Sequence, residues 1–232
     1  MLTRRHFIAT TTALFSPALP LLAQEDGTLI EAPELLQEPA PRPPVSNRAM
    51  WSTWDARVTP AEYDPATSNP WGFHPRFLPT VVAANDGLTP GDIHVDAIAR
   101  YLYFVRGDGT ALRYGVAIAR GDLYEPGVFR IGAKRKWPTW RPTDAMIERE
   151  PEVYKQHENG MDGGPSNPLG ARAFYLFDGA RDTYLRIHGT PSPRSIGGRA
   201  SSGCVRMVMA HIIGLYDEVE TGAMAHLYPA EA

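Results

Sequence analysis

The chain has 232 residues, of which 43% are hydrophobic, and its formal net charge at pH 7 is −3. That length and hydrophobic content are enough for one sizeable core, and 22 prolines and 21 glycines predict many loops. Because the charge balance is slightly acidic, the chain lacks the broad basic field that nucleic-acid binding requires, so we expect no nucleic-acid partner.

The N-terminal residues are typical of an export signal. Residues 3–8 read TRRHFI, the pattern of a twin-arginine signal, and an apolar run follows over residues 7–22. Sixteen residues are too few to span a bilayer about 30 Å thick as a helix. We therefore expect a leader at residues 1–23 that is cleaved after Ala23, export to the periplasm, and no stable membrane span. The alternative is an uncleaved membrane anchor.

Two segments of distinct composition precede the main domain. Residues 24–48 are rich in proline and poor in large apolar side chains, which predicts a semi-extended tether. Residues 49–78 form an aromatic-rich arm, whose large aromatic side chains are Trp51, Trp54, Tyr63, Trp71, Phe73 and Phe77. Because so many rings are unfavourable in water, we expect the arm to pack on the domain that follows. The alternative, a separate sugar-binding module, would have to be stable at about 30 residues without a disulfide.

The main domain, residues 79–232, is a series of short strands joined by tight turns. Residues 92–96 alternate in polarity, residues 101–105 form a buried run, and residues 112–118 return after a Gly-Asp-Gly turn. Strands linked in this way predict a mainly β domain, rich in antiparallel pairs, and not a βαβ fold. A glycine-rich passage at residues 157–172 is the best candidate for a lid over a cleft.

One segment of this domain holds the only cysteine in the chain. Residues 183–188 alternate and predict a strand that ends at His188, with His188 on its more polar face. Cys204 follows sixteen residues later, after a loop rich in proline and glycine. A cysteine and a histidine at the two ends of such a loop suit a nucleophile and its general base.

Apolar residues at helical spacing from Met209 to Val219 predict that the chain enters a helix directly after Cys204. A helix N-terminus and a histidine partner would lower the pKa of the Cys204 thiol from about 8.5 to roughly 3.5–7.5. Because a single cysteine cannot form an intramolecular disulfide, its presence in an exported chain favours a reactive role. The alternative is a small buried side chain without chemistry.

This segment resembles the L,D-transpeptidase family, whose YkuD-type catalytic domain has a His-Gly pair and, after a gap of about this size, a motif of Ser or Thr, His, Gly, Cys, any residue, and Arg or Asn. Here the pair is His188-Gly189 and the motif reads SSGCVR at residues 201–206. Ser202 stands where many members have a second histidine. The resemblance extends back to about Pro79. It implies a mixed β-sandwich with few short helices, one of which follows the catalytic cysteine.

The resemblance also implies roles for individual residues. The implied assignments are catalytic roles for Cys204, His188 and Gly189, an oxyanion-binding turn at Ser202 and Gly203, and substrate contacts at Arg206 and Ser201. This chemistry requires no cofactor. The seven histidines have no metal-ligand spacing with carboxylates or the cysteine, so we expect no metal site.

The activity that the resemblance implies is the formation of 3-3 peptidoglycan cross-links through a cysteine thioester, with release of D-alanine from a tetrapeptide stem. With water as the acceptor, the same acyl-enzyme would make the protein an L,D-carboxypeptidase or endopeptidase. With a lysine amine as the acceptor, it would attach an envelope protein to peptidoglycan. The alternative from a different class is a non-catalytic wall-binding protein. The expected partners are peptidoglycan stem peptides and, in the attachment case, an envelope protein.

Overall fold

The computed structural model of the protein describes residues 48–230, with side chains described from residue 50. The predicted leader and almost all of the predicted tether lie outside the described residues. Within residues 48–230, no helix has the length and apolar character needed to cross a membrane.

The described residues are organised around β-strands. Their bounds are β1 Thr80–Ala83, β2 Ile93–Asp96, β3 Tyr101–Val105, β4 Thr110–Gly115, β5 Ile118–Ala119, β6 Gly127–Lys136, β7 Arg172–Asp178, β8 Arg181–Thr190, β9 Arg199–Ser201, β10 Val205–Val208 and β11 Met224–Leu227. The helices are short: α1 Arg48–Val58, α2 Asp144–Arg149, α3 Pro151–Tyr154 and α4 Met209–Tyr216. This composition confirms the prediction of a mainly β fold with few helices, one of which follows the cysteine.

Nine strands form one mixed sheet in the order β1-β4-β3-β2-β11-β6-β7-β8-β10. Most neighbours are antiparallel, as tight turns require, but β11 runs parallel to β2 and β10 runs parallel to β8. The strands β5 and β9 form a separate two-stranded parallel sheet. The parallel pair β8–β10 sits at one edge of the large sheet, and it is this pair that carries the motif residues.

The main core lies against one face of the large sheet. Its fully buried side chains include Ile93, Leu102, Ile131, Phe174, Leu176 and Ile187 from the strands, with Ile212 and Leu215 from α4. Burying each such side chain contributes about 1.5–3 kcal/mol. Helix α4 thus packs on strands β7 and β8 and connects the motif edge, the sheet edge formed by β8 and β10, with the core.

The aromatic arm contacts the main domain at two places. Near α1, the rings of Trp54 and Trp137 meet edge to face at 5.2 Å, and the Asp55 carboxylate accepts hydrogen bonds from Trp137 Nε1 and from both terminal nitrogens of Arg172. Further along, Phe77 packs directly on Gly115, where a Cβ would lie 2.3 Å from the Phe77 Cβ. The described part of the arm therefore shares its packing with the strands.

The glycine-rich passage proposed as a lid is anchored in its second half. Asn167 is fully buried, and its side-chain amide donates to the carbonyls of Met161 and Asp162 while its oxygen accepts the Leu169 N–H. Because buried amides of this kind hold a loop in one conformation, residues 164–172 are a fixed support beside β8.

Candidate active site

The register of β8 and β10 brings the motif residues together. His188 pairs with Arg206 and Gly189 pairs with Met207. Residues in register on neighbouring strands direct their side chains to the same face, and so do residues two apart on one strand. His188 and Arg206 therefore share a face with Arg186, and Cys204, which immediately precedes β10, is directed toward the same side.

His188 is more enclosed than the sequence pattern predicts. The strand continues two residues past it to Thr190, and its side chain is only 4% exposed. Its Nδ1 lies 2.6 Å from the Gly189 carbonyl oxygen, and because a carbonyl only accepts, Nδ1 carries the proton. Burial lowers the pKa of His188 to about 3, and the charges of Arg206 and Arg186 act in the same direction. The imidazole is therefore neutral at pH 7, and because Nδ1 carries the proton, Nε2 is the unprotonated nitrogen.

The glycine-rich segment at residues 164–172 packs against the Gly189 peptide group. Gly170 has a φ of +62°, and a Cβ on it would lie 2.7 Å from the Gly189 carbonyl carbon. Only a glycine allows this approach without displacement of one of the two backbones. The peptide group whose carbonyl orients His188 is thus positioned by close packing against Gly170, and sequence patterns do not indicate this contact.

The prediction that Cys204 lies at a helix N-terminus is wrong. Strand β10 separates it from α4, which begins only at Met209. The helix dipole acts within its first turn, so it does not reach the thiol. Burial instead raises the pKa of the Cys204 thiol, although a hydrogen bond from the Arg186 backbone and the charges of Arg186 and Arg206 oppose this. The resting thiol and the resting imidazole are therefore both neutral.

A bulge in β8 shapes the wall next to the cysteine. Tyr175 and Phe177 of β7 pair with Arg186 and Asp182 of β8, so the segment between the last two contains two extra residues. Tyr184 lies in this bulge with φ +61°, its side chain is 69% exposed, and its carbonyl oxygen is 3.8 Å from Cys204 Sγ. The strand thus departs from regular alternation at Tyr184, although the Arg186 guanidinium still lies 5.9 Å from the centre of the Tyr184 ring.

Two guanidinium groups adjoin the pair, and they differ in their partners. Arg186 forms a two-point ion pair with Asp182 at 2.6 and 2.8 Å and lies 3.9 Å above the Tyr175 ring. Arg206 forms no ion pair with any carboxylate of the described residues, and its buried Nε has no hydrogen-bond partner there. Because half-buried cations are normally paired, Arg206 is suited to receive an anionic group of a ligand.

The turn before the cysteine has three distinct residues. Ser201 was predicted to bind substrate, but it is 2% exposed and its hydroxyl donates to the Cys204 carbonyl, so its contacts favour a structural role. Gly203 has a φ of +143°, a conformation that other residues rarely adopt. The backbone N–H groups of Ser202 and Gly203 make no hydrogen bond to another described residue, which leaves them available to an oxyanion.

Ser202 contacts residues that the sequence analysis missed. Its hydroxyl lies 2.8 Å from the Tyr154 hydroxyl and 3.4 Å from Arg120 Nη2. Arg120 is in turn paired with the Glu150 carboxylate. These residues lie 48 to 82 positions away in the sequence, so no local pattern connects them with the motif. Across residues 48–230, no cluster of histidine, cysteine and carboxylate side chains is arranged to hold a metal.

An oriented histidine on one strand, a cysteine directly before the neighbouring parallel strand, and a glycine turn with available N–H groups are together suited to cysteine acyl transfer. The chain belongs to the YkuD family of L,D-transpeptidase catalytic domains, whose model matches residues 90–227. That match covers every motif residue described above.

Individual relatives agree with the family assignment. The chain is 34% identical over 137 residues to a Fuscovulum blasticum protein whose name assigns it to the L,D-transpeptidases; the match covers 58% of this chain and 63% of that protein. It is 27% identical over 147 residues to the probable L,D-transpeptidase YbiS of Escherichia coli K12, covering 62% and 46%. The chain thus spans less than two thirds of the length of these relatives.

A solved structure from Brucella melitensis, described as a probable carnitine operon oxidoreductase, is 50% identical to this chain. The match covers 63% of this chain and 91% of that one, with a TM-score of 0.46.

Proposed function

We propose that the protein is an exported L,D-transpeptidase that forms 3-3 peptidoglycan cross-links through a thioester on Cys204. The observation that carries this proposal is the neutral His188, whose Nδ1 proton is committed to the Gly189 carbonyl on the strand next to Cys204. That tautomer leaves Nε2 as a base for the thiol proton.

In the proposed acylation step, the Cys204 sulfur attacks the carbonyl between the third residue of a tetrapeptide stem and its terminal D-alanine. The thiol proton passes to His188 Nε2 as the carbon–sulfur bond forms, because burial disfavours a free thiolate. The N–H groups of Ser202 and Gly203 stabilise the oxyanion. His188 then returns the proton to the departing amine, D-alanine leaves, and the thioester remains.

In the proposed second step, the side-chain amine of another stem attacks the thioester. His188 accepts the amine proton, the carbon–sulfur bond breaks, and the proton returns to the sulfur. An amide bond between two third residues results, and the Cys204 thiol is restored. Water in place of the amine would give a carboxypeptidase, and a lysine amine would give protein attachment; the acceptor therefore decides among the three outcomes of one acyl-enzyme.

Arg206 is proposed to bind a carboxylate of the donor stem. Its guanidinium has no anionic partner in the described residues, and its backbone is fixed by two hydrogen bonds with Ala117 at 2.8 and 3.0 Å. A rigid, unpaired arginine at the site edge would fix the reach of the peptide relative to Cys204. The twin-arginine pattern supports export, and the periplasm would supply the stem peptides as substrate.

The proposal is tested by incubating the exported form of the protein with purified tetrapeptide muropeptides and analysing the products by mass spectrometry. The expected products are dimers that lack one terminal D-alanine, absent with Cys204→Ala and with His188→Ala. Tripeptides alone would instead assign hydrolysis. A folded protein that changes no muropeptide, or dimers that persist in Cys204→Ala, would contradict the proposed chemistry.

A further inference from the structure

Two side chains outside the sequence motif contact the turn that precedes Cys204, and a third holds one of them. The residues, here called the Ser202 clamp, are Arg120, Glu150 and Tyr154. Tyr154 reaches the Ser202 hydroxyl at 2.8 Å and Arg120 reaches it at 3.4 Å. Ser202 is thus connected to two separate segments, one after β5 and one at the end of α3.

Chemistry fixes the direction of one of the two contacts with Ser202. A guanidinium only donates, so Arg120 donates to the Ser202 oxygen. Tyr154 and Ser202 each carry one hydroxyl proton, so either hydroxyl donates to the other. The Ser202 hydroxyl can therefore bond Arg120 and Tyr154 at the same time, which makes these three side chains one hydrogen-bonded network.

Glu150 anchors the clamp to the helical segment. It precedes α3, makes no capping hydrogen bond with its side chain, and directs its carboxylate to Arg120 and Arg149. The pKa of the Glu150 carboxyl is lowered, chiefly by the hydrogen bond from Arg120, so the pair is charged at neutral pH. Both ends of α3 are thereby linked to the catalytic turn, Glu150 through Arg120 and Tyr154 directly.

The turn depends on its side chains after Ser201: the Ser201 carbonyl accepts a hydrogen bond from the Arg120 N–H, but the N–H groups of Ser202 and Gly203 make none to another described residue. Gly203 adopts φ +143°, and glycine is the most flexible residue when unrestrained. At one end of the turn, the Ser201 hydroxyl donates to the Cys204 carbonyl. The Ser202 hydroxyl provides the other side-chain contacts of the turn, with Tyr154 and Arg120 as its partners.

We propose that Tyr154 and Arg120 are positioning residues that hold the Ser202-Gly203-Cys204 turn through the Ser202 hydroxyl. Where many family members have a histidine side chain at this point, this chain has a short serine that reaches its support through a tyrosine and an arginine. The inference rests on the proposed function, because the turn matters only if its N–H groups stabilise an oxyanion. It adds residues that lie outside the motif to the machinery of the site.

The test uses two reactions of Cys204 that differ in one respect. Acylation by 4-nitrophenyl acetate passes through a tetrahedral oxyanion: the sulfur bonds to the acetyl carbon and 4-nitrophenolate leaves. Alkylation by iodoacetamide replaces iodide at a carbon that carries no oxyanion. Both rates are measured at pH 8 by mass spectrometry of the Cys204 peptide, with Cys204→Ala as the background.

We expect Tyr154→Phe and Ser202→Ala each to slow acylation about five- to tenfold, the effect of one lost hydrogen bond, and to leave alkylation unchanged. The double variant should be no slower than the slower single variant, because both changes break the same contact. Tyr228→Phe serves as the matched control. Its hydroxyl bonds His94 on a strand away from the site, so neither rate should change.

Three results would overturn the inference. Unchanged acylation in both single variants would remove the positioning role, and additive losses in the double variant would separate the two residues. Equal losses in acylation and alkylation would assign a general packing role instead. The proposed function fails separately: a wild-type Cys204 that the ester does not acylate would overturn both, whereas acylation without muropeptide cross-links would overturn only the transpeptidase assignment.

Discussion

The Gly189 carbonyl oxygen lies 2.6 Å from His188 Nδ1, while a Cβ on Gly170 would lie 2.7 Å from the carbonyl carbon of the same peptide group. The group that orients the imidazole is therefore itself packed between the histidine and a neighbouring backbone. A shift of Gly189 would rotate His188 away from Cys204, so the Gly170 contact couples loop packing to proton transfer.

Gly170→Ala tests this coupling. The added methyl would collide with the Gly189 peptide in addition to straining a left-handed residue, so we expect the free energy of unfolding to fall by about 2–4 kcal/mol. Acylation of Cys204 should slow by at least tenfold in the folded fraction. Gly179→Ala is the matched control, since Gly179 has φ +58° with nothing within 4 Å of the added Cβ. Equal behaviour of the two variants in denaturant titration and acylation would contradict the coupling.

The titration of the thiol provides a second prediction. Because burial raises the pKa of Cys204, its alkylation by iodoacetamide should be slow at pH 7 and should still be rising above about pH 8.5, where a free cysteine is half ionised. The pH–rate profile of the wild-type protein measures this directly. A plateau that begins below pH 7 would instead reveal a thiolate–imidazolium pair at rest, in conflict with the neutral thiol and imidazole described above.

Sequence patterns predict the mainly β fold because the strands alternate in polarity and are bounded by turn residues. They also predict Cys204 and His188, since the spacing and the glycines are local signals. They do not separate β10 from α4, because Val208, the residue before the helix, has no side chain that caps it. Regular alternation also does not predict the bulge at Tyr184, which is supported both locally and across to β7. The Tyr184 N–H donates to Asp182 and the Leu185 N–H donates to the Thr183 hydroxyl, which itself donates to the Leu176 carbonyl of β7.

Buried neutral histidines predict acid sensitivity. Burial lowers the pKa of both His188 and His211 to about 3, whereas an unfolded histidine titrates near 6.5. Between these values the unfolded state binds more protons, so stability should fall as the pH drops from about 6.5 toward 3. The slope would be at most about 1.4 kcal/mol per pH unit for each histidine. Urea titrations of wild type and His211→Gln over this range measure the effect, and an equal slope in both would remove the contribution of His211.

The unpaired Arg206 predicts a charge-specific loss of substrate binding. Arg206→Gln removes a charge-assisted contact worth about 1.5–3 kcal/mol, so the KM for a tetrapeptide stem should rise roughly ten- to a hundredfold with a smaller change in kcat. The wild type should discriminate against a donor whose carboxylates are converted to carboxamides, and the variant should not. Arg113→Gln, a half-buried arginine on β4 far from the motif edge, is the control. Discrimination that survives in Arg206→Gln would assign carboxylate binding to another residue.

The contacts of Asp55 predict how much the aromatic arm contributes to the free energy of unfolding. Its carboxylate binds Arg172, whose side chain is 5% exposed, at 2.6 and 2.9 Å, and it also accepts from Trp137 Nε1 at 3.0 Å. Asp55→Asn leaves a buried cation without its counter-charge, so the free energy of unfolding should fall by about 2 kcal/mol or more. The Asp178–Arg181 pair is 66% and 74% exposed, and Asp178→Asn should cost less than about 0.5 kcal/mol. Because Arg172 begins the strand that pairs with β8, the Asp55→Asn variant should also show faster hydrogen exchange in residues 164–172. If Asp55→Asn and Asp178→Asn lowered the free energy of unfolding by the same amount, the arm would contribute no more to the fold than a surface ion pair.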